Sequence, residues 1–385
     1  MRARVLIDIA GFANKGDQLM FCSLVESVHA RLPEADLVLP AKLLASCDLR
    51  RLSDLPFREL ADCRKVGRRI SYGLKWLLSC VRICRPPVYP SQIDVVLHSP
   101  GFRYSDSFPL RRVSSLRKEL AYFRAFSKKG RRIFFMPQAF GPFVTDASRQ
   151  RMLALYPFAD WLYARDEMSL AYLRGILPHA ENISLAPDFT CGCQGRRRLA
   201  SPLLTSIGGR YGVIIPNGRM ISHTALGAQA YLDFLCTAAS LFRRSGLDVI
   251  LLNHEGEDDM EILSALRRRL AFPVVCLNGE TGLVCKGIIG GAAIVVTSRF
   301  HGAVSGLCQG VPTLCTGWSH KYRELAEKFG CGQCCLDIAE GDKALAVLMD
   351  ALRQPERYSA DQAHIKAVLD ETDRMWDGIF GRLPR

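Results

Sequence analysis

Several familiar signatures are missing from this chain. After the first apolar run, Gly11 and Gly16 lack the Gly-x-Gly-x-x-Gly spacing of a dinucleotide fingerprint, and no Walker A sequence occurs. A dinucleotide-dependent or P-loop enzyme is therefore not indicated. No apolar run reaches the roughly 20 residues that span a bilayer. Met1-Arg2-Ala3-Arg4 and the run Val5–Ile9 are interrupted too soon, by Gly11 and Asp17, to read as a signal peptide. There is no internal repeat and no low-complexity tract. RNP, KH and zinc-finger patterns are also missing, which sets aside nucleic-acid binding even though the formal net charge is +13.

What is present describes a folded protein. Of 385 residues, 49% are hydrophobic and 23% charged, enough to fill cores in two domains. The 15 cysteines are odd in number, and Cys22, Cys236, Cys276, Cys308 and Cys315 sit in apolar runs. They read as small buried hydrophobes in a reducing, cytoplasmic setting rather than as a disulfide framework. Cys191-x-Cys193 and Cys331-x-x-Cys334-Cys335 invite comparison with zinc sites. The first spacing is tighter than the structural pattern and the two groups fall in different halves, so no metal is expected. The basic window 67–85 mixes Arg and Lys with Trp, Tyr and Leu. It suits either a peripheral helix on anionic lipid at the inner face of a membrane or a core helix with a solvated basic face.

Short β-branched runs alternate with amphipathic windows almost throughout, the pattern of βαβ units and mostly parallel sheets. Strands are expected at Arg4–Ile9, Leu37–Leu39, Asp94–Leu97, Arg132–Phe135, Trp161–Tyr163 and Asn182–Leu185. A second series follows at Gly212–Ile215, Asp248–Leu252, Val274–Leu277, Ala292–Val296 and Thr313–Cys315. The glycine- and arginine-rich stretch beginning at Cys191 reads as a linker. The expected architecture is α/β, with one Rossmann-like lobe at 1–195, a second at 205–355, and a helical segment at 356–385 that packs back across the junction. Leu43–Pro87 is strongly basic and matches no recognisable pattern.

Residues able to do chemistry cluster at predicted strand exits, where open α/β sheets bind ligands. The sharpest group is Thr297-Ser298-Arg299-Phe300-His301-Gly302, directly after an apolar run. Arg299 offers a planar fork for an anion, and His301 a proton near neutral pH or a cap on the next helix. Arg165, Arg219 and Lys321 add cations at other strand ends or turns, so a small polyanion fits the set. The turn Gly11-Phe12-Ala13-Asn14-Lys15-Gly16-Asp17 allows close backbone approach, with Asn14 and Asp17 as caps or ligands. Gly101, in Ser99-Pro100-Gly101, marks a further strand exit.

Read together, Gly11-x-x-Asn14-x-Gly16-Asp17, Gln138-x-x-Gly141-Pro142, Arg165-Asp166-x-x-Ser169, Pro187-Asp188, Arg299-x-His301-Gly302 and Lys321 appear in an order that resembles the polysaccharide pyruvyl transferase family, from about Val5 to Gly330. Pro100-Gly101 departs from a Gly-Gly pair and Trp318 from a tyrosine. The resemblance implies a two-lobed fold similar to GT-B glycosyltransferases, with the acceptor on the first lobe and the donor on the second. It implies phosphoenolpyruvate as co-substrate and no other cofactor. The acceptor would be a saccharide of a polysaccharide, glycan or lipid-linked oligosaccharide, and the product a pyruvate ketal. On this reading Arg165, Arg299, His301 and Lys321 hold the donor, with Lys321 assisting phosphate departure. His301 is the acid or a donor ligand, and Asp17 is the base toward an acceptor hydroxyl that Asn14, Gly16 and Gly101 help to seat. The alternative is a GT-B glycosyltransferase with a nucleotide-sugar donor, in which Glu255 or Glu257 would grip a ribose.

Overall fold

Apolar runs bounded by turn residues become parallel strands wherever helices can cover both faces of the sheet, and this chain does so in two series. The computed structural model describes residues 2–383 apart from 47, 62–85, 107–115, 128–129, 196–203, 205–206, 208, 223 and 318–320. The window 67–85 and residues Trp318, Ser319 and His320 therefore lie outside the described residues.

The first unit comprises Met1–Phe12, Met20–Phe189 and Thr372–Arg385; the second comprises Ala13–Leu19 and Thr190–Glu371. The sequence-derived limits of 1–195, 205–355 and 356–385 are continuous stretches, whereas both units are discontinuous.

In the first unit the described residues form β1 (Arg4–Ile9), β2 (Asp36–Pro40), β3 (Phe57–Leu60), β4 (Val95–Ser99), β5 (Arg132–Gln138), β6 (Trp161–Ala164) and β7 (Ile183–Leu185). They make one sheet in the order β3-β2-β1-β4-β5-β6-β7. In the second unit, β8 (Tyr211–Ile215), β9 (Asp248–Leu252), β10 (Val275–Leu277), β11 (Ile294–Thr297) and β12 (Thr313–Cys315) form a sheet in the order β10-β9-β8-β11-β12. Every pairing of named strands is parallel. Each sheet is of the Rossmann type, and its strand order reverses once: beside β1 and β4 in the first, beside β8 and β11 in the second. Such a reversal opens a crevice beyond the strands' C-terminal ends.

Val213, Ile214, Ile215, Val295 and Val296 are fully buried. Each contributes about 1.5–3 kcal/mol relative to exposure, so the two strands that carry the second crevice are anchored in the core.

A charged strand and a buried helix are among the elements that escape the sequence reading. Strand β3 carries Arg58 and Glu59 on an edge, and Arg58 pairs with Asp36 on the neighbouring strand at 2.6 Å. Charged edge strands are common because they resist further pairing, but they leave no apolar run to read. The helix Gly282–Gly290 is buried nearly all round and contains Lys286, so it has no amphipathic period. Lys286 is satisfied inside the fold: its Nζ donates to the carbonyls of Thr190 at 2.5 Å and Cys191 at 3.4 Å.

The C-terminal helix Gln362–Gly381 is shared by the units, dividing at Glu371/Thr372. Within the first unit, Arg31 meets Asp373 at 3.0 Å and Asp377 at 3.5 Å, and Trp376 packs edge-on against Phe189. Within the second, Lys328 meets Glu371 at 2.6 Å. Among the described residues, no helix is long and apolar enough to cross a membrane, and no three His, Cys, Asp or Glu side chains are grouped to hold a metal ion.

Candidate functional site

The exits of β8 and β11 are side by side, with Ile215 opposite Thr297 in the register. Hydrogen bonds fix the backbone that follows. Ser298 N–H donates to the Ile215 carbonyl at 2.9 Å. The Ser298 carbonyl accepts from Asn217 Nδ2 at 2.9 Å and from the Tyr322 hydroxyl at 2.7 Å. The Ser298 hydroxyl contacts those of Tyr231 at 2.6 Å and Thr316 at 2.5 Å. Tyr231 and Tyr322 are buried, and burial pushes both phenols above their ordinary pKa, so they stay neutral. Arg299 therefore leaves the sheet from a rigid base.

Its guanidinium is engaged by two carboxylates. Nε and Nη2 meet Asp259 at 2.9 and 2.5 Å, and Nη1 meets Glu255. Asp259 is 0% exposed and also accepts from Gly218 N–H at 3.1 Å. Burial pushes the Asp259 carboxyl up to about 7 and draws Arg299 down to about 10. The fork that sequence reasoning reserves for an external anion is thus held by acidic residues of the same unit.

The segment Ala13–Leu19 belongs to this second unit. Lys15 N–H donates to the His254 carbonyl at 3.3 Å, and Asn14 bridges Glu255 in antiparallel fashion. Gly282 N–H donates to the buried Gln18 side chain at 2.7 Å. Asn14 Oδ1 accepts from Gly16 N–H at 2.7 Å, which caps the helix Lys15–Arg31. Gly16 must lack a side chain: a Cβ there would stand 2.1 Å from His301 Nδ1. Desolvation pushes the Asp17 carboxyl up to about 7.

His254 is 2% exposed, and its Nε2 has no hydrogen-bond partner among the described residues. Burial first, and then the charges of His301, Arg299 and Lys15, hold its pKa well below the ordinary value. Two imidazoles, a lysine, an arginine and a desolvated carboxyl therefore belong to one strand-exit region. Lys321 opens the helix Lys321–Lys328, with Nζ 5.5 Å from the centre of the Phe300 ring, next to His301 in sequence.

Asn14, Gly16, Asp17, Arg299, His301 and Lys321 are thus gathered in the second unit. Arg165 and Gly101 are in the first. Arg165 is buried: its Nη1 meets Asp188 at 3.2 Å, both side chains 5% exposed or less. Asp166 instead caps the helix Glu167–Ile176 through Ser169 N–H at 2.8 Å. Gly101, beyond β4, has φ +76°, a conformation that favours glycine.

Sequence reasoning passes over His254, Asp259, Asn217 and the two tyrosines. Asn253-His254-Glu255 follows β9 directly, so the strand-exit rule that finds Arg299 could have found His254. Asp259 is hidden in Glu257-Asp258-Asp259, which has the look of an ordinary acidic helix start.

Comparison with known proteins adds two findings. A model of the polysaccharide pyruvyl transferase family matches residues 14–320. No curated protein sequence matches the chain. Among solved structures, the fold is similar to UDP-N-acetylglucosamine 2-epimerase from Rickettsia bellii, with TM-score 0.60, 12% identity, and 100% and 97% of the two chains covered. UDP-GlcNAc 2-epimerase from Neisseria meningitidis, solved bound to UDP-GlcNAc, gives TM-score 0.58 and 10% identity over 98% and 100%. HepE from Anabaena, solved with UDP, gives TM-score 0.59 and 10% identity over 99% and 100%. These likenesses establish a GT-B-like fold.

Proposed function

The chain belongs to the polysaccharide pyruvyl transferase family, and on that premise we propose that it moves the pyruvate unit of phosphoenolpyruvate onto a saccharide, closing a ketal and releasing phosphate. The acceptor is a sugar of a polysaccharide, glycan or lipid-linked oligosaccharide.

The reaction protonates the methylene carbon and builds positive character at the central carbon. One sugar hydroxyl adds there, phosphate departs, and a neighbouring hydroxyl closes the ring. Of the two hydroxyl protons, one balances the new methyl group and the other leaves with phosphate. The enzyme's task is to position two anionic groups, deliver one proton and accept another.

In this scheme Arg299 and Lys321 receive the donor's carboxylate and phosphate. His301 delivers the proton or holds the donor. Asp17, with its carboxyl pushed up to about 7, is a base matched to neutral pH. The observation that carries the reading is the gathering of Asp17, Gly16, His301 and Arg299 in one unit, at the strand-order reversal of its sheet.

The runner-up, a nucleotide-sugar donor on the same fold, needs an acidic residue for the ribose. Glu255 contacts Arg299, which leaves Glu257, exposed in the first turn of the helix Gly256–Arg269, as the candidate. Thermal melting of the purified protein with phosphoenolpyruvate, UDP and UDP-sugars separates the two. Stabilisation by phosphoenolpyruvate alone is the expected result; stabilisation by the uridine ligands alone would overturn the proposal.

A further inference from the structure

Arg299 has its nitrogens divided between two carboxylates that differ in freedom. Asp259 takes Nε and Nη2 together, is fully buried, and is tied to Gly218 N–H at 3.1 Å. It cannot withdraw without leaving buried donors unpaired. Glu255 meets only Nη1, and its side chain is 33% exposed. Its backbone is fixed by the Asn253 Oδ1 contact at 3.1 Å and by pairing with Asn14. Glu255 can therefore swing its carboxylate into solvent by side-chain rotation alone.

We infer that Glu255 is the specificity-determining residue of the donor site: its carboxylate occupies the arm of Arg299 that an incoming anion takes, while Asp259 is a positioning residue that holds the guanidinium through the exchange. The inference rests on the proposed donor site at Arg299. One guanidinium faces two carboxylates here, so adding a dianion without releasing Glu255 would crowd like charges at short range. Release is driven only by a ligand carrying more negative charge, or better-matched geometry, than a single carboxylate. Neutral or weakly polar ligands leave Glu255 in place. Glu255 thus selects for phosphate-bearing donors by competition rather than by contact.

The test is calorimetric titration of the full-length protein, with inorganic phosphate and with phosphoenolpyruvate, on the parent, Glu255→Gln and Glu255→Ala. Two replacements at this partly exposed position guard against a single ill-folded variant, and melting curves check each. Both variants are expected to bind phosphate roughly tenfold more tightly than the parent, the effect of removing one competing charge-assisted hydrogen bond. Asp259→Asn is expected to weaken it. In steady state, Glu255→Gln lowers the donor KM with little change in kcat, whereas Asp259→Asn raises KM. Phosphate binding that is unchanged or weaker in both Glu255 variants would overturn the inference. Tighter phosphate binding with no phosphoenolpyruvate response in any protein would uphold the competition and overturn the donor reading, so the two failures are distinguishable.

Discussion

Gly16 and His301 interlock: the imidazole occupies the space in which any side chain at position 16 would begin, with Nδ1 2.1 Å from the would-be Cβ. Glycine is required there for fit, since the backbone itself is helical and unstrained. Gly16→Ala is therefore expected to displace the imidazole and lower kcat/KM roughly a hundredfold, the scale of a 1 Å misplacement of a reacting group. Gly175→Ala, in a helix and with nothing within 4 Å, is the control and should keep full activity. Steady-state kinetics on both proteins checks the pair; near-parent activity in Gly16→Ala would detach His301 from the chemistry.

Asp17 gives a prediction in pH. A base must be ionised to accept a proton, and burial pushes this carboxyl up to about 7. The rate should rise as pH passes through that value, and Asp17→Asn should lose both rate and limb. Stability carries the opposite sign. The group ionises near 3.8 when unfolded but only near 7 when folded, so the folded chain binds the extra proton between those values and stability falls as pH rises. The melting temperature of Asp17→Asn relative to the parent should increase across that window and level off above it. A difference that does not vary with pH would show an unperturbed carboxyl.

Tyr322→Phe removes the hydroxyl that donates to the Ser298 carbonyl at 2.7 Å. With Asn217 still bonded to the same carbonyl, the expected loss is about 1 kcal/mol, read as a lower denaturant midpoint. Because Ser298 precedes Arg299, the donor KM should rise as well. A stability loss with unchanged KM would separate this tyrosine from the placement of the guanidinium.

Arg165 and Asp188 form a buried pair in the first unit. Asp188→Asn removes the carboxylate that faces a desolvated cation and should cost about 3–5 kcal/mol. Replacing both, Arg165→Met with Asp188→Leu, should recover most of that stability. If donor KM is then also parental, Arg165 serves the fold. A restored fold with a KM raised tenfold or more would make it a donor ligand.

The parts of this molecule legible from residues alone are those whose signal is local. Val213–Ile215, Ile250–Leu252 and Ile294–Val296 are apolar because both faces of a parallel strand are covered, and each reads as a strand. Arg299 and His301 announce themselves by standing just beyond one. Asp259 does not, because its meaning is not local. Glu257, Asp258 and Asp259 are all acidic residues in a helical first turn, and only packing against Arg299 turns one of them inward while its two neighbours stay exposed. The pairing of Arg165 with Asp188 is hidden for the same reason, since the partner lies 23 residues away and beyond another strand. The helix around Lys286 offers no period to read, because burial on all sides erases the contrast between faces.

The short strip Ala13–Leu19 packs with residues more than 170 positions downstream, while the chain on either side of it belongs elsewhere. Dissecting the protein at an interlobe boundary would consequently give a C-terminal fragment with a missing inner piece. Such a fragment, starting at Thr190, would expose the surface where Gln18 and Gly16 normally seat, and a synthetic peptide spanning the strip becomes a natural reagent for restoring it in trans.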